Sequence, residues 1–148
     1  MSQFMEVQYG MKGRLDGAAA QIDIIQNGRF ATLLFIIASL LNFIRYDYDE
    51  KVVFDEMFNQ SNESLIFDNE LKADKISEAV SIIILIAVII YTKNAMTIFK
   101  LESANASNKK NYQGDKIIAC FGVLKVIGFL GAAIGYQIST QELIDSQS

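Results

Sequence analysis

The sequence predicts an all-α integral membrane protein, with three transmembrane helices preceded by an amphipathic N-terminal helix. Two observations carry that fold class. Of 148 residues, 51% are hydrophobic and 20% charged. Those averages would suit a soluble protein, but here the apolar residues are gathered into three blocks and the charges fall between them. Before the first block, apolar residues recur at helical spacing. A soluble bundle fits poorly, because nothing else in the chain is long enough to cover three helices that are apolar all round.

The elements follow in chain order. Over residues 1–23, Phe4, Val7, Met11, Leu15, Ala18 and Ile22 repeat at spacings of three and four and share one helix face. Gly10, Gly13 and Gly17 each cost about 1 kcal/mol against alanine, so this helix is marginal in isolation. It is expected to lie at the membrane interface on the cytoplasmic or matrix side. The first span is set at residues 24–46. Its dense part, Phe30 to Ile44, gives only about 22 Å of helix, short of a bilayer core. Extension through Ile24 and Ile25 at one end and Tyr46 at the other completes it.

Residues 47–78 form an acidic external loop, ten carboxylates strong, in which Val52–Glu56 and Leu65–Glu70 are similar stretches. Periodicity leaves open a β-hairpin or two short helices. Asp47, Asp49 and Glu50 are the group nearest to a divalent-cation site, but the calcium-loop spacing, with its glycine and terminal glutamate, is missing. No metal site is expected. Asn59, Asn62 and Asn105 open glycosylation sequons, a number that chance alone supplies.

The second span, 79–99, is the most densely apolar. Its eleven Ile, Leu, Val and Phe residues contribute about −5 kcal/mol to insertion, and Lys93 subtracts at most about 3. Residues 100–116 are a polar inner loop, a flexible connector, with Asp115 expected to cap the next helix. The third span, 117–138, contains a single charge, Lys125. Residues 139–148 are a short external tail.

Orientation follows the basic residues. Lys12, Arg14 and Arg29 precede the dense apolar part of the first span, and Lys100, Lys109, Lys110 and Lys116 separate the second span from the third. The N-terminus is therefore expected inside and the C-terminus outside, in a bacterial plasma membrane or a mitochondrial inner membrane. The first 28 residues contain no 7–15-residue apolar run, so no secretory signal peptide is expected.

Composition narrows the chemistry. There is no histidine and one cysteine, which removes histidine-based acid–base catalysis and any His- or multi-Cys-liganded zinc site. A net charge of −4 gives no basic footprint for nucleic acid. No nucleotide loop, cofactor motif or catalytic constellation appears, so an enzyme is not expected. A lipid-modifying activity lacks the residues for the work.

The odd residues are the intramembrane cations. Lys125 lies about 12 Å inside the inner edge of its span. Lys93, and Arg29 at the start of the first span, lie in the same half. Each is able to snorkel to the inner headgroups. Together they are candidates for contact with an anionic lipid headgroup or a partner's carboxylate. A proton pathway is disfavoured, because no acid lies within the second or third span. Beside Lys125 on the helical wheel runs a small-residue face, with Gly128, Gly131, Ala132 and Gly135 as the candidate helix-packing residues. The neighbour is either within the chain or outside it. Cys120 is expected to be a small packing residue.

The functional expectation is a non-enzymatic accessory or scaffolding subunit of a membrane complex, respiratory or transport, in contact with lipids and other membrane subunits. The alternative is a self-associating pore, a holin-like protein or a small transporter, which would need a polar stripe across the whole membrane.

Overall fold

The computed structural model describes residues 2–58, 63–104 and 113–146, with side chains at 17–58, 63–103 and 113–146. The sequons at Asn59, Asn62 and Asn105 lie outside the described residues. Three α-helices make up the described chain: α1 (Ser2–Phe58), α2 (Glu63–Ala104) and α3 (Gln113–Asp145). All three are long and apolar enough to cross a membrane.

One expectation is corrected here. The N-terminal amphipathic segment is not a separate helix, because α1 runs unbroken through residues 2–58. The chain has no proline, and once an apolar span is helical, each further residue adds a backbone hydrogen bond without a new nucleation cost. Three glycines do not interrupt that.

The same continuity decides the segment 47–78. Among its described residues, neither a β-hairpin nor two separate short helices forms. Instead α1 and α2 continue beyond the apolar blocks as an antiparallel helical hairpin. From Tyr46 to Phe58, α1 extends about 18 Å further. Asp115 sits in the first turn of α3, two residues after its start. There a carboxylate favours the positive end of the helix dipole without being the cap residue.

The helices are held by small side chains. Ala31 and Ala38 in α1, Ala73, Val80 and Ala87 in α2, and Ala119 in α3 are buried, and no large side chain is fully buried. Large apolar residues such as Leu33, Leu40, Phe43, Leu124 and Ile127 point outward. In water this would be an unstable surface. In a bilayer it is the expected inversion, since lipid solvates the outer face and small residues let the backbones approach.

α2 is the middle helix. It packs on α1 along one flank and on α3 along the other, while no Cα of α1 lies within 8 Å of a Cα of α3 among the described residues. The bundle is therefore open along one side.

Candidate functional site

The open side is a trough with α2 as its floor. Two cavities lie end to end along it, about 600 Å³ toward the end where α3 begins, called the inner end from here on by the expected orientation, and about 290 Å³ toward the opposite, outer end. The lining residues show that they share one line. On α2 the outer cavity takes Ser77, Ser81 and Ile84, and the inner takes Val88, Tyr91, Ala95 and Ile98. These recur at spacings of three and four, a single helix face about 32 Å long. On α3 the sequence Asp115, Ile118, Gly122 and Lys125 continues through Phe129, Ala132 and Tyr136 with the same period. The trough thus matches the thickness of a bilayer core.

Antiparallel register fixes depth. Thr92 of α2 lies against Gly122 of α3, and Ser139 donates a hydrogen bond to Asp74 at 3.5 Å. These two points set Lys125 level with Val88, next to the midpoint of the apolar stretch 79–99. The backbone of Lys125 is therefore near the bilayer centre. Its side chain leans toward the helix N-terminus, the inner side, as helical side chains do.

The polar groups in the inner cavity mostly bind helix to helix. The Tyr91 hydroxyl is 2.7 Å from Thr32 Oγ1 and donates to the Gly28 carbonyl at 3.4 Å. Asn94 Nδ2 donates to the Ile24 carbonyl at 3.0 Å. The Tyr91 ring stacks on Phe35 with centroids 5.9 Å apart. Lys125 differs, since it lines the cavity and no carboxylate among the described residues lies within 4 Å of its amine. At the outer end, Arg45 lines the trough with Asn42 and Tyr46. Its guanidinium lies over the Tyr46 ring at 4.4 Å, and Asp49 is 3.4 Å from Nε.

The candidate residues are distributed as follows. Lys125 and Ala132 line the trough. Arg29 and Lys93 are brought to nearly one depth by the Thr32–Tyr91 contact; all three cations are exposed, and Arg29 and Lys93 line neither cavity. Gly128, Gly131 and Gly135 face open space, with no atom within 4 Å of a Cβ built on any of them. The chain's own helices do not use that face. Cys120 is likewise exposed.

The close approach within the chain is at Gly122, which sequence reasoning passed over. A Cβ there would stand 2.9 Å from Thr92 Oγ1 and 3.1 Å from Thr92 Cγ2. The signal was present in the 119, 122, 126, 133 spacing of Ala, Gly, Val and Ala, a second face of modest side chains on nearly the opposite side of α3 from Gly128, Gly131 and Gly135.

Outside the span the hairpin is polar within and apolar at its tip. Buried Asn69 donates to buried Asp55 at 3.4 Å, and Lys72 pairs with Asp68 at 2.6 Å. That contact is the main reason the Lys72 amine is held above its usual pKa. The Glu70 carboxyl is also raised, first by burial and then by Asp74 and Glu56. No group of three or more acids or thiols is placed to hold a metal ion among the described residues.

Comparison with family models, curated proteins and solved structures returns no match to this chain. What the fold defines is a class: a small, all-helical integral membrane protein.

Proposed function

We propose that this protein is a non-enzymatic accessory or scaffolding subunit of a membrane complex. The observation that carries the reading is the trough. A three-helix unit that leaves the Lys125 amine in an open trough, with no carboxylate of the described residues in salt-bridge range, does not pair that charge inside hydrocarbon. Unsatisfied polar groups there are costly, and ionisable residues in spans face other protein or a water-filled cavity. A subunit that completes its fold against another protein meets that requirement.

One observation favours a second reading. Asn42, Ser77 and Ser81 at the outer end continue the polar character of the inner cavity, so polar groups are present at both ends of the trough. Copies of the chain arranged with their troughs facing a common axis would form a pore. Extraction in a mild detergent followed by native mass spectrometry separates the two. A defined complex with a different chain supports the accessory role. A closed homo-oligomer with no other chain supports the pore.

A further inference from the structure

We infer that the trough seats one transmembrane helix of a different protein, and that this helix carries a carboxylate near its midpoint, opposite Lys125. The inference deepens the accessory-subunit reading and rests on it. Three features select this occupant.

The first is length. The trough follows α2 from Ser77 to Ile98 and α3 from Asp115 to Tyr136, about 32 Å on each. A phospholipid fills one leaflet, whereas a spanning helix fills both. The second is depth. Lys125 is level with Val88 near the bilayer centre, and a lipid phosphate resides at the interface. A glutamate near mid-span on a neighbouring helix that runs parallel to α3 leans the same way as Lys125 and brings its carboxylate to the ammonium, and pairing is how charges in spans are accommodated. The third is charge. Neither α2 nor α3 has an acid inside its apolar span, and the nearest in α1 is Asp23, near the inner end. A second copy of this chain therefore has no carboxylate to place opposite Lys125. Asp115, on the inner rim of the trough, adds a preference for a basic residue at the inner end of the incoming helix.

The same seat gives the exposed glycines a use. On the α3 wheel, Ala132 borders the trough, Gly128 and Gly135 lie next to it on the open side, and Gly131 is further round. Their missing side chains would let the incoming backbone come close.

The test uses the full chain, labelled with a donor dye at its N-terminus, in phosphatidylcholine vesicles. The probe is a synthetic spanning peptide of leucine and alanine with one central glutamate and a lysine at the inner end, labelled with an acceptor. The control peptide has glutamine at the centre. Energy transfer reports association. The expected result is a preference for the glutamate peptide of about tenfold or more. Lys125→Leu should abolish the preference and Lys125→Arg should retain it. Because Lys125→Leu removes an insertion penalty, that variant remains inserted and the comparison stays interpretable.

Equal binding of the two peptides by the wild type overturns the inference, and so does a preference that survives Lys125→Leu. Displacement of the glutamate peptide by phosphatidylglycerol, in proportion to its content, would assign the trough to an anionic lipid. Transfer between donor- and acceptor-labelled copies that Lys125→Leu abolishes would assign it to a second copy. Native mass spectrometry of the extracted complex keeps the two levels apart. A hetero-complex that retains the same partner in wild type and Lys125→Leu leaves the accessory role standing and removes the Lys125 seat. No hetero-complex at all removes the accessory role itself.

Discussion

At the residue scale, two positions make measurable demands on their surroundings. Gly122 is in close contact with Thr92. A valine there would force α3 away from α2, an overpacking cost of about 1–3 kcal/mol. Gly131→Val, on a face with no neighbouring atom, should change the stability of the isolated chain by less than about 0.5 kcal/mol. Denaturant titration in detergent micelles measures both, and equal effects would contradict the packing described. The second is Glu70, whose pKa is raised above its ordinary value. A raised folded-state pKa adds stability that is fully present below the unfolded value and is lost as pH rises through the folded one. The hairpin should therefore be tightest at mildly acidic pH and loosen above the usual carboxylate range. Amide exchange over residues 63–78, corrected for intrinsic rates, should show this in the wild type. The Glu70→Gln variant should give a flatter profile, and identical profiles would refute the assignment.

At the element scale, α1 and α2 are joined by polar bonds as well as by small residues. Asn94 reaches across to the Ile24 carbonyl, and Tyr91 to Thr32 and Gly28. Interhelical hydrogen bonds of this type contribute about 0.6 kcal/mol on average and up to about 2. Asn94→Leu should weaken the α1–α2 pair by an amount in that range and leave α2–α3 unchanged. Cysteine crosslinking across each seam reads the two pairs separately, and a loss spread equally over both would contradict the register. The outer hairpin behaves differently. Its tip exposes Val53, Phe54, Met57 and Phe58, with the Phe54 and Phe58 rings 4.7 Å apart. Those rings cover one another in part, and the buried Asp55–Asn69 contact ties α1 to α2 just behind them.

At the scale of the whole molecule, three spans put the two termini on opposite sides of the membrane. With the basic residues concentrated in the N-terminal segment and inner loop, a tag at Ser148 should react with impermeant reagents from outside and a tag at Ser2 should not. Equal labelling of both would remove the three-span arrangement. The openness of the bundle has its own consequence. An isolated chain with α1 and α3 apart should exchange amide protons faster along the trough side of α2 than along its seams. Saturation with the central-glutamate peptide should slow that exchange in the wild type and leave it unchanged in Lys125→Leu.

The helical class, the three spans and the unusual position of Lys125 were legible in the sequence, because they follow from local quantities. Apolar length against bilayer thickness selects spanning helices, and a single charge within 22 residues is visible without knowing any neighbour. The glycine face of α3 was also visible, but its use was not, since a helix surface does not say what lies across from it. Tertiary structure decided which small residue makes contact, Gly122 and not Gly131 or Gly135. It decided that Lys125 lines the trough and that Arg29 and Lys93 do not. It also decided that the described parts of the segment 47–78 continue α1 and α2, because helix propagation outlasted the change in polarity that had suggested a boundary. The trough has the same origin. Its three walls come from positions as far apart as Gly28, Val88 and Lys125, and only the antiparallel register of the helices brings them to one line.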